Sequence, residues 1–180
     1  MKSNILIIII ILVSFFTCGC YSGPLSKKDV ALIHKDINNM YEAFENGDFS
    51  LILNNTHDSI LKLVGSKQIF EKMLDRAIEQ AKSNGLKYIN NKLYQPDNLY
   101  IVGKEEICFI PRVSTLKIDG KTVTRKGFMI AIRKKGESKW KYLDGAGFKQ
   151  NPNSLWLIFP KLPRDVKLPE NYDKIHYDER

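Results

Sequence analysis

The chain has 180 residues, 43% hydrophobic and 27% charged, the balance of an ordinary folded domain and one that excludes a disordered or fibrous protein. Its formal net charge is +8, carried by lysines and arginines scattered in ones and twos. That pattern suits anionic surfaces such as lipid head groups or acidic envelope polymers and gives no basic stripe of the kind nucleic acid requires.

The first element in chain order is an export signal. Lys2 precedes the apolar run Ile5 to Phe16, and the chain then reads Thr17-Cys18-Gly19-Cys20. A short basic start, an apolar stretch of ~7–15 residues and small residues before a cleavage point make a secretory signal, shorter than the roughly 20 residues of a membrane span, with an uncleaved N-terminal anchor and cleavage by ordinary signal peptidase as the alternative readings. Thr17-Cys18-Gly19-Cys20 resembles the bacterial lipobox, in which a small residue precedes the cysteine that receives diacylglycerol and becomes the mature N-terminus. The resemblance implies cleavage after Gly19 and lipid on Cys20, with Cys18 as the second acceptor. It implies a protein of the bacterial cell envelope, palmitate-bearing and anchored to a membrane on its periplasmic or extracellular face. Residues 1–19 are then signal peptide and 20–25 a tether. Cys108, in the strand-like run Ile107-Cys108-Phe109-Ile110, is left without a disulfide partner and reads as a small buried hydrophobe.

Residues 26–159 read as one α+β domain. Ser26 caps a helix whose Val30, Ile33, Ile37, Tyr41 and Phe44 share one face before Asn46-Gly47 ends it. Asp48 or Ser50 starts a short second helix ending near Asn54-Asn55, and Ser66 caps a longer one whose apolar stripe runs from Ile69 to Ala81 and stops at Asn84-Gly85. From Lys87 the period changes to that of strands: Lys87 to Tyr94, Leu99 to Val102, Ile107 to Ile118 bent near Pro111, a return strand through Phe128 to Arg133, and Lys139 to Asp144. Asp119-Gly120 is the strongest hairpin signal, because a type I′ turn needs positive φ at both central residues. A last helical turn spans Leu155 to Phe159, and residues 160–180 form an extended, proline-containing tail. The expected architecture is N-terminal helices packed on a curved antiparallel sheet of four or so strands.

Three features carry a family resemblance: this element order, Ala43-Phe44-Glu45-Asn46-Gly47-Asp48 at the end of the first helix, and Trp140-Lys141-Tyr142-Leu143-Asp144-Gly145 in the final strand. In them the chain resembles the nuclear transport factor 2-like superfamily, a cystatin-like α+β cone. The resemblance implies a sheet wrapped around helices with an internal pocket, for which Tyr41, Phe44, Trp140 and Tyr142 are the lining candidates. It implies a non-catalytic binding domain for a small ligand or envelope component, or a partner-binding subunit, a homodimer included, that uses the outer sheet face. A ketosteroid-isomerase-like or dehydratase-like enzyme is the third reading.

Catalysis needs an acid or base in that pocket. Asp144 shares a strand face with Trp140 and Tyr142, and His57 lies in Thr56-His57-Asp58-Ser59. Each also has a plain structural reading, a turn start for Asp144 and a loop or helix cap for His57. No H-E-x-x-H, C-x-x-C pair, P-loop, G-x-G-x-x-G or G-x-S-x-G run occurs, so the sequence supplies no motif for a metal, a nucleotide or cofactor, or a serine nucleophile. The lipid assignment has a direct test: radiolabelled palmitate is expected in the wild type and absent from Cys20→Ala, and label retained in that variant moves the attachment to Cys18.

Overall fold

The computed structural model describes residues 23–96 and 98–176. The signal segment and its Cys18 and Cys20 lie outside the described residues, as does the end of the tail.

α1 (Lys27–Asn46) begins where Ser26 Oγ accepts the Asp29 amide and ends where Gly47 takes φ 76, the left-handed conformation that glycine adopts without a Cβ penalty. Asp48 caps α2 (Phe49–Asn55) by accepting from the Ser50 and Leu51 amides. α3 (Asp58–Val64) is a short helix that the sequence pattern did not signal, and its cap is the His57 ring, which accepts from the Ser59 amide. α4 (Lys67–Ser83) starts at Ser66 as expected, but only Ile78 of its stripe is fully buried.

The sheet is built on one long hairpin. β3 (Glu105–Ile118) and β4 (Lys121–Lys134) have 14 residues each and pair in unbroken register from Glu105↔Lys134 to Ile118↔Lys121. Asp119 and Gly120 turn the hairpin with φ 49 and 73, the type I′ geometry expected of Asp-Gly. Two short strands share each edge of this hairpin. β2 (Leu99–Val102) and β1 (Lys87–Leu93) lie end to end along β3, and β5 (Lys141–Asp144) and β6 (Tyr172–His176) do the same along β4. The sheet is thus four strands wide and contains six. Pro111 falls in the gap between the two β3 partners. Its carbonyl, which accepts from the Tyr94 amide at 2.9 Å, points to that edge, so the N–H that proline lacks is missing where no strand needs it.

Both sheet faces are covered. Ile33 and Ile37 of α1 pack with Cys108, Ile110, Met129, Ala131, Trp140 and Tyr142 on the inner face. Phe109, Phe128, Ile130 and Leu143 point outward and meet Leu155, Trp156, Phe159 and Leu162 from the segment that follows β5. That segment contains 3-10 turns at Gly145–Phe148 and Pro152–Ser154 and the short α5 (Leu155–Ile158). The tail is more than an extended surface strand: it returns to pair β6 with β4, and Arg125–Asp173 (2.8 Å) and Lys126–Glu170 (2.8 Å) fix its register.

Gly145 is where β5 turns beneath the outer layer. A Cβ there would lie 2.5 Å from the Phe128 carbonyl oxygen and 2.7 Å from the Phe128 ring. Gly145→Ala is therefore expected to destabilise the domain by about 3 kcal/mol, the upper end for overpacking a core, as measured by urea unfolding with an unchanged m-value.

Candidate functional site

α4 contacts α2 and α3, and with them it bridges a space over the inner sheet face rather than filling it. The space is a cavity of about 640 Å³, within the ~300–1,000 Å³ usual for small-molecule sites. Leu63 of α3 with Phe70, Leu74 and Ala77 of α4 line one end, and Met40, Tyr41 and Phe44 of α1 line a wall. At the other end the C-terminus of α4 meets Tyr88 of β1, Arg125 of β4 and Asp144 of β5.

Tyr41, Phe44 and Tyr142, three of the aromatics expected to line a pocket, do so. Trp140 does not: it is 1% exposed in the inner core, with the Arg133 guanidinium 4.3 Å from its ring centre.

The polar end is a set of paired charges, with Arg112 Nε left buried and without a hydrogen-bond partner among the described residues. Asp144 takes one guanidinium nitrogen of Arg112 on both carboxylate oxygens, at 2.9 and 3.1 Å, and also accepts the Ala146 amide at 2.8 Å. Arg112 is 3% exposed and lies opposite Gly127 in the hairpin, where a Cβ would come within 3.3 Å of its Nε. Glycine makes room for the guanidinium. Arg125 is held by Asp173 through Nε and a second nitrogen, at 2.8 and 3.2 Å. This pairing holds the Asp173 carboxyl below its ordinary range.

Tyr88 lies between these pairs and packs edge-on against Tyr41, ring centres 5.1 Å apart. Burial pushes its hydroxyl up to about 12, with the Asp144 and Glu45 charges adding and Arg125 opposing. The Tyr142 hydroxyl donates to Asp36 at 2.8 Å and is pushed up by burial and then by that bond. Both phenols therefore remain protonated donors at neutral pH. Asp144 does not have the arrangement of a general base, since its oxygens are committed to Arg112 and to the turn it caps.

His57 lies outside this cavity. Its Nδ1 is 2.8 Å from Ser59 Oγ and its Nε2 is 3.2 Å from Glu105 Oε1, so its partners are Ser59 and Glu105, not Asp58. It borders a separate cleft of about 480 Å³ with Lys62, Lys139 and Lys141. α3 is the wall between the two concavities. Cys108 is fully buried, and burial pushes its thiol well above the ordinary range, as expected of a core residue rather than a nucleophile.

Sequence reasoning missed Arg112, Arg125 and Tyr88. A usable signal was present, because Arg112 has the strand parity of Cys108 and Ile110, and Arg125 that of Met129; an arginine at a core-facing position needs a buried partner. Among the described residues no group of three or more His, Cys, Asp or Glu gathers to hold a metal, and no helix is long and apolar enough to cross a membrane.

The two raised phenols give a pH signature. An unfolded chain ionises its tyrosines near 10.0, whereas folded Tyr88 holds its proton to about 12. Stability from this residue is present below pH 10 and falls as pH rises towards 12. In a tyrosinate absorbance titration, Tyr88 and Tyr142 of the eight tyrosines are expected to ionise last, and Tyr88→Phe is expected to make the alkaline loss of stability less steep.

No protein-family model matches the sequence, and neither a curated protein nor a solved structure matches it.

Proposed function

We propose that this is a membrane-anchored envelope lipoprotein whose domain binds a small, mainly apolar molecule in the cavity between α4 and the inner sheet face, without catalysing a reaction on it. The observation that carries this reading is the cavity itself: about 640 Å³ with Leu63, Phe70 and Leu74 at one end and Tyr88, Arg125 and Asp144 at the other. An apolar wall with a few convergent polar groups is the usual composition of a ligand site. A nuclear transport factor 2-like relationship, proposed on the element order and the two short motifs, is compatible with helices lying over such a sheet.

Catalysis is the weaker reading because Asp144 is ion-paired with Arg112 and caps a turn, while His57 caps α3 on the far side of that helix. A partner-binding subunit that uses the outer sheet face is also disfavoured, since Leu155, Trp156, Phe159 and Leu162 of the same chain cover that face over β3, β4 and β5. The arrangement of charge favours a ligand with an uncharged polar end: both cavity ions already have bidentate or doubled partners, and a further buried charge would find no counter-ion.

The test uses the full chain in bacterial membranes and a monoacylglycerol carrying a diazirine in its acyl chain. After irradiation, adducts are expected on peptides from α4, β1 and the β5 end, and Leu74→Trp, which fills the cavity, is expected to remove most of them while thermal unfolding stays cooperative. Adducts confined to residues before Gly23 would overturn the ligand reading and leave the anchor in place.

A further inference from the structure

The lysines that look scattered in the sequence are brought together by the fold at one end of the sheet. The hairpin starts and ends there, with Glu105 opposite Lys134. The Lys135 amide donates to the Lys104 carbonyl at 2.9 Å, joining two turns into one rim. Lys161 reaches the same rim, its side chain 3.9 Å from the Cβ position of Gly103. Lys62, Lys134, Lys139 and Lys141 border the cleft on the α3 side of it.

The carboxylates at this end are mostly committed. Asp29 and Glu106 both hold Arg133, at 2.8 and 2.5 Å, Glu105 meets His57, and Glu137 lies 3.7 Å from Lys134; Asp58 alone faces the cleft without an ion pair among the described residues. Lys104, Lys135 and Lys139 are exposed and have no ion pair among the described residues. Lys141 donates to the Asn54 carbonyl, and its ammonium is pushed below the ordinary lysine range, first by burial and then by Lys139, with Asp58 opposing.

The chain also enters the domain at this end. The Asp29–Arg133 ion pair ties the first turn of α1 to the rim, placing Lys27 and Lys28 beside it, and the Gly23 carbonyl accepts the Leu99 amide on β2, the strand that leads to the Gly103-Lys104 turn. Cys20 is three positions before Gly23, a reach of at most about 10 Å. With the first turn of α1 tied to the rim, a lipid on Cys20 would bring this end of the sheet near the bilayer.

We propose that the basic end formed by the Lys104, Lys135 and Lys139 turns, the Lys62–Lys141 cleft and the start of α1 is a docking surface for the anionic head groups of the bilayer that carries the anchor. The orientation rests on the anchor reading; the charge complementarity does not. A lipid chain with an adjacent basic surface is a two-signal membrane attachment, each lysine near an anionic leaflet adding roughly 1 kcal/mol at low salt.

The experiment is lysine acetylation footprinting of the full chain in vesicles. In vesicles with anionic phosphatidylglycerol, Lys104, Lys135 and Lys139 are expected to react about tenfold more slowly than in pure phosphatidylcholine, consistent with the attraction of several charges, while Lys87 and Lys117 at the opposite end of the sheet keep their rates. The protection is expected to vanish in 1 M salt, where the screening length is about 3 Å, and in a Lys104→Glu, Lys135→Glu, Lys139→Glu variant the remaining rim lysines Lys62, Lys134 and Lys161 are expected to react at the same rate in both lipids. Equal rates in the two lipids overturn the docking surface even where palmitate labelling supports the anchor. Equal protection by a soluble glycerol-phosphate polymer without vesicles overturns the bilayer as partner. Loss of palmitate in Cys20→Ala with lysine protection retained on added anionic vesicles separates the two attachments and supports the surface.

Discussion

The structure depends on the register of one hairpin. Fourteen consecutive pairs between β3 and β4, closed by Asp119-Gly120, fix which residues face each side. In the half near Glu105 and Lys134 both faces are apolar, with Ile107 to Ile110 and Phe128 to Ile132 buried without alternation. A sheet segment that is apolar on both sides must be covered on both sides, which is why α1 takes the inner face and residues from Gly145 onward take the outer one. In the half near the turn the inner face changes character, to Arg112, Ser114 and Arg125. These polar side chains interrupt the apolar inner face between Ile110 and Leu116, and Arg125 lines the cavity there together with Ile118.

The charged groups at that end carry a second consequence. Arg112 is more than nine-tenths buried and would be costly alone; Asp144 meets it only because β5 ends at that level and Gly145 turns the chain away. Arg125 depends in the same way on β6, since Asp173 comes from the tail. Two ion pairs contributed by the last third of the chain thus hold the polar end of a site whose apolar end is built from helices in the first half. The cavity is a property of the whole domain, and truncation of the tail would expose Arg125 rather than merely shorten the protein.

What could be read in the sequence were features encoded locally. α1, α2 and α4 announced themselves by caps and apolar spacing, and the hairpin by Asp-Gly. The features that escaped depend on distant partners. α3 has neither a long stripe nor a usual cap, its cap being the His57 ring. β6 is fully exposed and has no burial pattern to reveal it; it exists through Arg125, Lys126 and its pairing with β4. The outer layer is spaced by Pro152, Pro160 and Pro163 into an irregular path, so Leu155, Trp156, Phe159 and Leu162 follow neither the helical nor the strand period. Asp58 is the carboxylate next to His57 in sequence, whereas the one that meets its ring is Glu105, 48 residues away. For the same reason a rim made of lysines from four separate segments could not be seen as one surface.

α3 joins the two proposals physically. One of its faces presents Asp58, Ser59 and Lys62 to the basic cleft, and the other presents Ile60 and Leu63 to the cavity. Leu63 is 63% exposed, although its neighbours in the wall are half-buried, so the apolar lining continues outward past α3 instead of ending inside. With the basic end on head groups, this helix lies towards the lipid, and Tyr88, Arg125 and Asp144 lie at the far end of the cavity. A molecule bound with its polar group at Tyr88 then directs its apolar part back towards the bilayer. On that reading, exchange between membrane and cavity would pass between α3 and the first turns of α4, where α3 has no fully buried residue and α4 has only Ile78, in its second half. Local openings are drawn from such weakly packed elements, so under the proposed ligand reading α3 is where the cavity would open.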